Sequence, residues 1–133
     1  MRGSCLCGGV TYEIAAPIEE LSHCHCSMCR KAHGAAFATF ARVPAAAFRI
    51  TAGADLVKRY QSSDPVTRSF CGTCGSNLTF VFAGMPEHLW VAAGSFDEDP
   101  GVRPSAHIFV ASKAPWYEIS DQLKQFGEYP HSL

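Results

Sequence analysis

Residues 71–75 read Cys71-Gly72-Thr73-Cys74-Gly75, a pair of cysteines two residues apart with a glycine directly after the second. A tight turn with this spacing presents both thiolates to one ion, and Gly75 permits the positive φ that such a knuckle needs behind its second ligand. A knuckle is only half of a tetrahedron, so the other half must come from elsewhere in the chain. The five remaining cysteines fall in two more clusters, Cys5 with Cys7, and Cys24 with Cys26 and Cys29, and none lies outside them. Taken as alternate residues of an N-terminal strand, Cys5 and Cys7 point to one face and share an ion. Cys5, Cys7, Cys71 and Cys74 are therefore expected to form a structural zinc site that staples the N-terminal strand to the hairpin beginning near Phe70. Closing so long a loop is what a structural site does best. Such a site contributes on the order of 10 kcal/mol, comparable with the net stability of a whole domain.

The central stretch HCHCSMCRKAHG, residues 23–34, packs the other three thiolates into six residues. Structural zinc takes four protein ligands and catalytic zinc takes three with one position open, so seven cysteines divide into four and three, with two zinc ions per chain. His23, His25 and His33 are near enough in sequence to close the second site. His25, wedged between two ligands, is expected to turn its ring away, and the open site is the preferred reading. A dication with three thiolates carries a formal charge of −1, which reduces its power to acidify water, whereas the soft sulfur environment suits another sulfur ligand. An incoming thiol would be deprotonated and held as a nucleophile. Arg30 and Lys31, next to this cluster, are placed to attract an anionic substrate.

Disulfides would suit an even cysteine count and a secreted chain. The chain begins MRGSCLCGG, without an apolar run after its arginine, so a cytoplasmic setting with reduced thiols is expected. Formal net charge is −1, and the 11 Lys and Arg residues are dispersed rather than gathered in a stripe. That argues against nucleic acid and against an anionic membrane surface as partners, and no apolar stretch is long enough to span a bilayer.

The pattern along the chain is strand-like. Val10, Tyr12 and Ile14 alternate within Gly8–Ile14 before Pro17 breaks the run. Residues 36–43, 48–51, 57–60, 66–70, 78–82, 89–93 and 106–111 are short and rich in β-branched or aromatic side chains. Helical signals are brief: one follows Ser27, and Pro44 opens a single turn. Residues 127–133 read as an irregular tail. His107 reads as a hydrogen-bonded strand histidine, Trp116 as a core residue, and Ser95, Phe96 and Asp97 as turn residues.

The segments GSCLCGGVTYEI, HCHCSMCRKAHGAAF, RSFCGTCGSNLTF, GSFD and AHIFVASKAPW, in that order, resemble the glutathione-dependent formaldehyde-activating family, the CENP-V/GFA domain. The resemblance covers nearly the whole chain and implies one zinc-binding domain over residues 1–133. It implies a mainly β fold of coiled antiparallel sheets stapled by zinc, like the zinc-containing Rab exchange factors. It also implies that Cys5, Cys7, Cys71 and Cys74 hold a structural zinc, and Cys24, Cys26 and Cys29 a catalytic one. The implied activity is that of a carbon–sulfur lyase resembling S-(hydroxymethyl)glutathione synthase, with a glutathione-like thiol and a small aldehyde as partners. The alternative is a non-enzymatic zinc-binding module that acts through protein contacts.

Overall fold

Ala38, Phe40, Ala41 and Val43 are all buried, yet they belong to two different cores. Side chains two apart on a strand share a face, so a strand with both faces covered separates its odd and even positions into distinct layers. Ala41 and Val43 pack with Val10, Tyr12, Ile14, Leu21, Leu89 and Val91. Ala38 and Phe40 pack with Cys24, Cys29, Trp90, Ala92 and Ile108. The computed structural model, which describes residues 1–130, is built around a sheet covered in this way.

That sheet has eight strands: β3 (Glu20–Cys24), β4 (Ala38–Pro44), β6 (Val57–Ser63), β7 (Val66–Cys71), β8 (Asn77–Phe82), β9 (His88–Ala92), β10 (Ala106–Ile108) and β11 (Lys124–Gln125). Their order is β11-β10-β3-β4-β9-β8-β7-β6. A smaller antiparallel sheet of β1 (Arg2–Ser4), β2 (Thr11–Ile14) and β5 (Phe48–Ala52) brings Tyr12 and Ile14 to the first core. The only α-helix among the described residues, α1 (Ser27–His33), lies between β3 and β4 and buries Cys29 in the second core.

The mainly β expectation holds, with a correction to its antiparallel character: β10 runs parallel to both β3 and β11. Parallel pairing needs a long crossover, and here the chain from β3 returns to β10 only after six other strands have formed. The Cys5–Cys7 segment is corrected as well, since it is a turn between β1 and β2 and not part of a strand. Gly8 adopts φ +76, the Gly8 N–H donates to Cys5 O at 3.0 Å, and the Cys5 N–H donates to Val10 O at 3.0 Å, so the chain reverses directly after Cys7. The single turn after Pro44 is present as a 3₁₀ turn over Ala45–Ala47. Trp116, expected in a core, is 71% exposed. Of the expected tail, residues 131–133 lie outside the described residues. No helix among the described residues is long and apolar enough to cross a membrane.

Candidate metal centres

Two turns build the four-cysteine group. In the loop joining β7 to β8, the Gly75 N–H donates to Cys71 O at 2.8 Å and Gly75 sits at φ +79, as the knuckle reading requires. Across from it stands the Cys5–Cys7 turn, so that both halves are knuckles. Cys5, Cys7, Cys71 and Cys74 place all four sulfurs within 4.8 Å of one another. The Cys5–Cys7 and Cys7–Cys71 sulfur separations are 3.6 and 3.9 Å. Tetrahedral zinc with Zn–S bonds of about 2.3 Å sets its sulfurs about 3.8 Å apart, so the donors fit that ion in type, number and spacing. The Ser76 hydroxyl lies 3.2 Å from Cys74 Sγ, and this contact draws the Cys74 thiol down to about 5. Val10 N–H donates to Cys5 Sγ at 3.3 Å. Thiolate sulfurs accept such bonds, as metal ligands do from their surroundings.

The three-cysteine group is assembled by one strand end and one helix start. Cys24 is the last residue of β3, Cys26 is the N-cap of α1, and Cys29 lies in its first turn. Cys26 keeps extended backbone angles, φ −62 and ψ 152, and its Sγ accepts the Cys29 N–H at 3.3 Å. The cap thus fixes the sulfur of Cys26 on the side from which Cys29 projects. Gly34, at φ +59, ends the helix and donates its N–H to Arg30 O. The three sulfurs lie within 4.8 Å of one another, and among the described residues no histidine or carboxylate atom completes the group. Contacts with Cys26 and Cys29 push the Cys24 thiol up, while contacts with Cys24 and Cys29 pull Cys26 down to about 2. Three sulfurs this close share one negative charge easily and resist further ionisation; a dication relieves that repulsion, so the trio also fits a metal ion. Cys24 and Cys29 are 7% and 3% exposed, and Cys26 is the member left partly open to solvent.

Each histidine near the trio has other work. His23 Nδ1 pairs with Thr39 Oγ1 at 2.7 Å, and the His33 ring stands edge-on to Phe40. His25, fully buried, turns to His107, with Nε2 to Nδ1 at 2.7 Å, and His107 Nε2 reaches Asp121 Oδ2 at 2.9 Å. If His107 Nε2–H donates to the carboxylate, its Nδ1 accepts from His25 Nε2–H, which leaves His25 Nδ1 as a bare acceptor; that atom is buried and has no partner among the described residues. Burial, and then the proximity of His107, depress His25 to about 4, so the ring is neutral near pH 7. His107 is the hydrogen-bonded strand histidine that its position suggested.

The sequence model of the glutathione-dependent formaldehyde-activating enzyme family matches residues 1–112. The chain belongs to that family. A Halomonas elongata protein, provisionally named a glutathione-dependent formaldehyde-activating enzyme, is 30% identical over 139 aligned positions, which cover 98% of this chain and 88% of the relative. The crystal structure of a Rhodobacter sphaeroides protein has the same fold, with a TM-score of 0.63 and 28% identity, over 78% of this chain and 92% of that one.

In this member of the formaldehyde-activating family the cysteines gather into the two groups that their spacing suggested. One neighbour of the trio escaped the sequence reading. Arg68 of β7 is buried, and its Nη2 lies 3.6 Å from Cys29 Sγ. The available signal was strand parity: Arg68 lies three residues before Cys71, on the opposite face of β7.

Proposed function

We propose that this family member joins a glutathione-like low-molecular-weight thiol to a small aldehyde, or cleaves the adduct, as a zinc-dependent carbon–sulfur lyase. In the joining direction the thiol sulfur bonds to the carbonyl carbon, the C=O π pair passes to oxygen, and the oxygen gains a proton as the thiol loses one, so that RSH and H₂CO give RSCH₂OH. The reading rests on one observation, the contrast between a closed group of four sulfurs and a group of three without a fourth protein donor among the described residues.

Zinc bound by Cys24, Cys26 and Cys29 would supply acidification of the incoming S–H and a fixed place for its sulfur. The rest of the chemistry falls to the chain. Cys26, partly exposed, marks the side on which a thiol arrives. The N-cap bond from Cys29 N–H holds Cys26 in place, and the His25–His107–Asp121 chain holds the loop between Cys24 and Cys26. The apolar wall of Phe40, Trp90 and Ile108 excludes water from the buried side of the trio. Cys5, Cys7, Cys71 and Cys74 would hold the second, structural zinc. All seven cysteines are free thiols, which suits a reducing cytoplasmic setting. Residues 1–133 are proposed to act as one domain.

The test follows adduct formation by exchange NMR with the zinc-loaded protein, glutathione and formaldehyde. Exchange faster than in buffer, abolished in Cys26→Ala, is expected. Exchange no faster than in buffer with glutathione, cysteine and 2-mercaptoethanol would remove the catalytic claim.

A further inference from the structure

Every arginine side chain that forms an ion pair among the described residues meets a carboxylate: Arg42 meets Glu19 and Glu20, Arg49 meets Glu13, and Arg103 meets Asp99. Arg68 is 8% exposed and pairs with no carboxylate among the described residues. Its Nε donates to Ser62 Oγ at 3.1 Å, its guanidinium carbon lies 5.8 Å from the centre of the Phe80 ring, and its Nη2 points at Cys29 Sγ. A hydroxyl and an aromatic face do not neutralise a buried guanidinium, which stays charged at any pH a protein survives. Among the described residues, the one group in contact with it that becomes anionic is the cysteine trio.

We propose that Arg68 is a positioning residue that supplies the counter-charge of the Cys24, Cys26 and Cys29 centre and thereby makes it receptive to a fourth, exogenous thiolate. The proposal rests on the metal-binding reading of that trio. A dication and three thiolates sum to −1, and the guanidinium brings the local total to zero. A guest thiolate, its proton released to solvent, returns the total to −1; without Arg68 it would have to enter at −2 in a half-buried site. The Nη2–H bond to Cys29 also draws electron density from one of the three sulfurs, leaving the ion a stronger acceptor for the newcomer. Ser62 and the Phe80 ring hold the guanidinium at that sulfur. Arg30 and Lys31, the cations next to the trio in the sequence, lie on α1 itself, and among the described residues their side chains show no bond to its sulfurs, only the Arg30 backbone N–H donating to Cys26 O at 3.0 Å.

The experiment uses cobalt(II) as the metal, because its sulfur-to-metal charge-transfer and d–d bands report the number of sulfur ligands without any turnover. The wild-type protein should bind two cobalt ions, and 2-mercaptoethanol or glutathione should shift the d–d bands of one of them. In Arg68→Met the thiol dissociation constant should rise roughly 10–100-fold, with the four-cysteine cobalt spectrum unchanged. Arg68→Lys, which keeps the charge, should recover most of the loss, a rescue that a merely space-filling role would not produce. Should Arg68→Met fail to fold, Arg68→Gln carries the same expectation, since it is neutral and close in size. Wild-type thiol affinity in the neutral variants would overturn the proposal. So would a loss confined to glutathione and absent with 2-mercaptoethanol, because Arg68 would then be reading the carboxylates and not the sulfur. A wild-type protein that binds only one cobalt would refute the metal reading of the trio first, and the role of Arg68 with it.

Discussion

At the scale of single residues, Tyr12 shows a buried polar group answered by a specific partner. Tyr12 is 1% exposed, and its hydroxyl lies 2.5 Å from Ser95 Oγ, whose own hydroxyl donates to Ala92 O at 2.7 Å. With Ser95 donating to Ala92, the phenol is the donor to Ser95, an arrangement available only to the protonated form. Burial pushes Tyr12 up to about 12. A group with a raised folded-state pKa contributes stability that is complete below the ordinary tyrosine value and is lost as pH rises through the folded one. The wild-type protein should therefore lose stability between about pH 10 and pH 12. Tyr12→Phe should be less stable at pH 8 by about 1 kcal/mol for the missing hydrogen bond, and should show a shallower alkaline loss. Urea unfolding of both proteins across that range checks the sign, and parallel pH profiles would contradict it.

At the scale of elements, the turn between β5 and β6 props both knuckles of the four-cysteine group. Leu56, at the end of the 3₁₀ turn Ala54–Leu56, accepts the Gly72 N–H at 2.8 Å, and its side chain lies against Gly9, two residues after Cys7. Gly53 starts this turn at φ +79, and a Cβ there would come within 1.9 Å of Gly9 O. Gly53→Ala combines a left-handed backbone penalty with a clash against main chain that cannot swing aside, and should cost about 2–4 kcal/mol. A lower urea midpoint with unchanged slope is the expected result, and an unchanged midpoint would show that the turn is not under this constraint. The same elements show what the sequence could disclose. β4, β7, β8 and β9 were legible because alternation or aromatic content marks strands that divide their side chains between layers. β3 was not: in Glu20–Cys24 the residues Leu21, Ser22 and Cys24 are all buried, so no alternation survives, and His23 and Cys24 read as part of a metal loop. The spacing of two between Cys5 and Cys7 matches a strand period and so hides their turn, which only Gly8 and Gly9 signal. The pairing of β10 with β3 joins Ile108 to Cys24 across 84 residues, and no local pattern encodes such a partner. Both cysteine groups were legible because ligand spacing is written locally, whereas the nearness of Arg68 to Cys29 depends on tertiary packing.

At the scale of the whole molecule, the eight-stranded sheet holds the two cysteine groups apart and links them. Cys71 belongs to the core between the two sheets, whereas Cys24 and Cys29 belong to the core on the other face. β7 serves both sides, with Cys71 toward one and Arg68 toward the other. Their loads differ. The four-cysteine group ties the β1–β2 turn to the β7–β8 loop, segments more than 60 residues apart, as the Cys7–Cys71 separation of 64 shows. The trio ties only the end of β3 to the helix that follows it directly. Metal at the first group would close a long loop and offset much chain entropy, while metal at the second would close a loop that the backbone has nearly closed already. Cys74→Ser should therefore remove a contribution comparable with the net stability of the fold, about 5–15 kcal/mol, and yield protein that is unfolded or insoluble. Cys29→Ser should cost about 1–3 kcal/mol for a buried hydroxyl, remain folded, and carry one metal ion fewer than wild type. Native mass spectrometry counts the ions, and circular dichroism measured on the same samples reports the fold. If the two variants unfold to the same degree, the sheet does not divide a structural centre from a chemical one, and the loop-length reasoning fails.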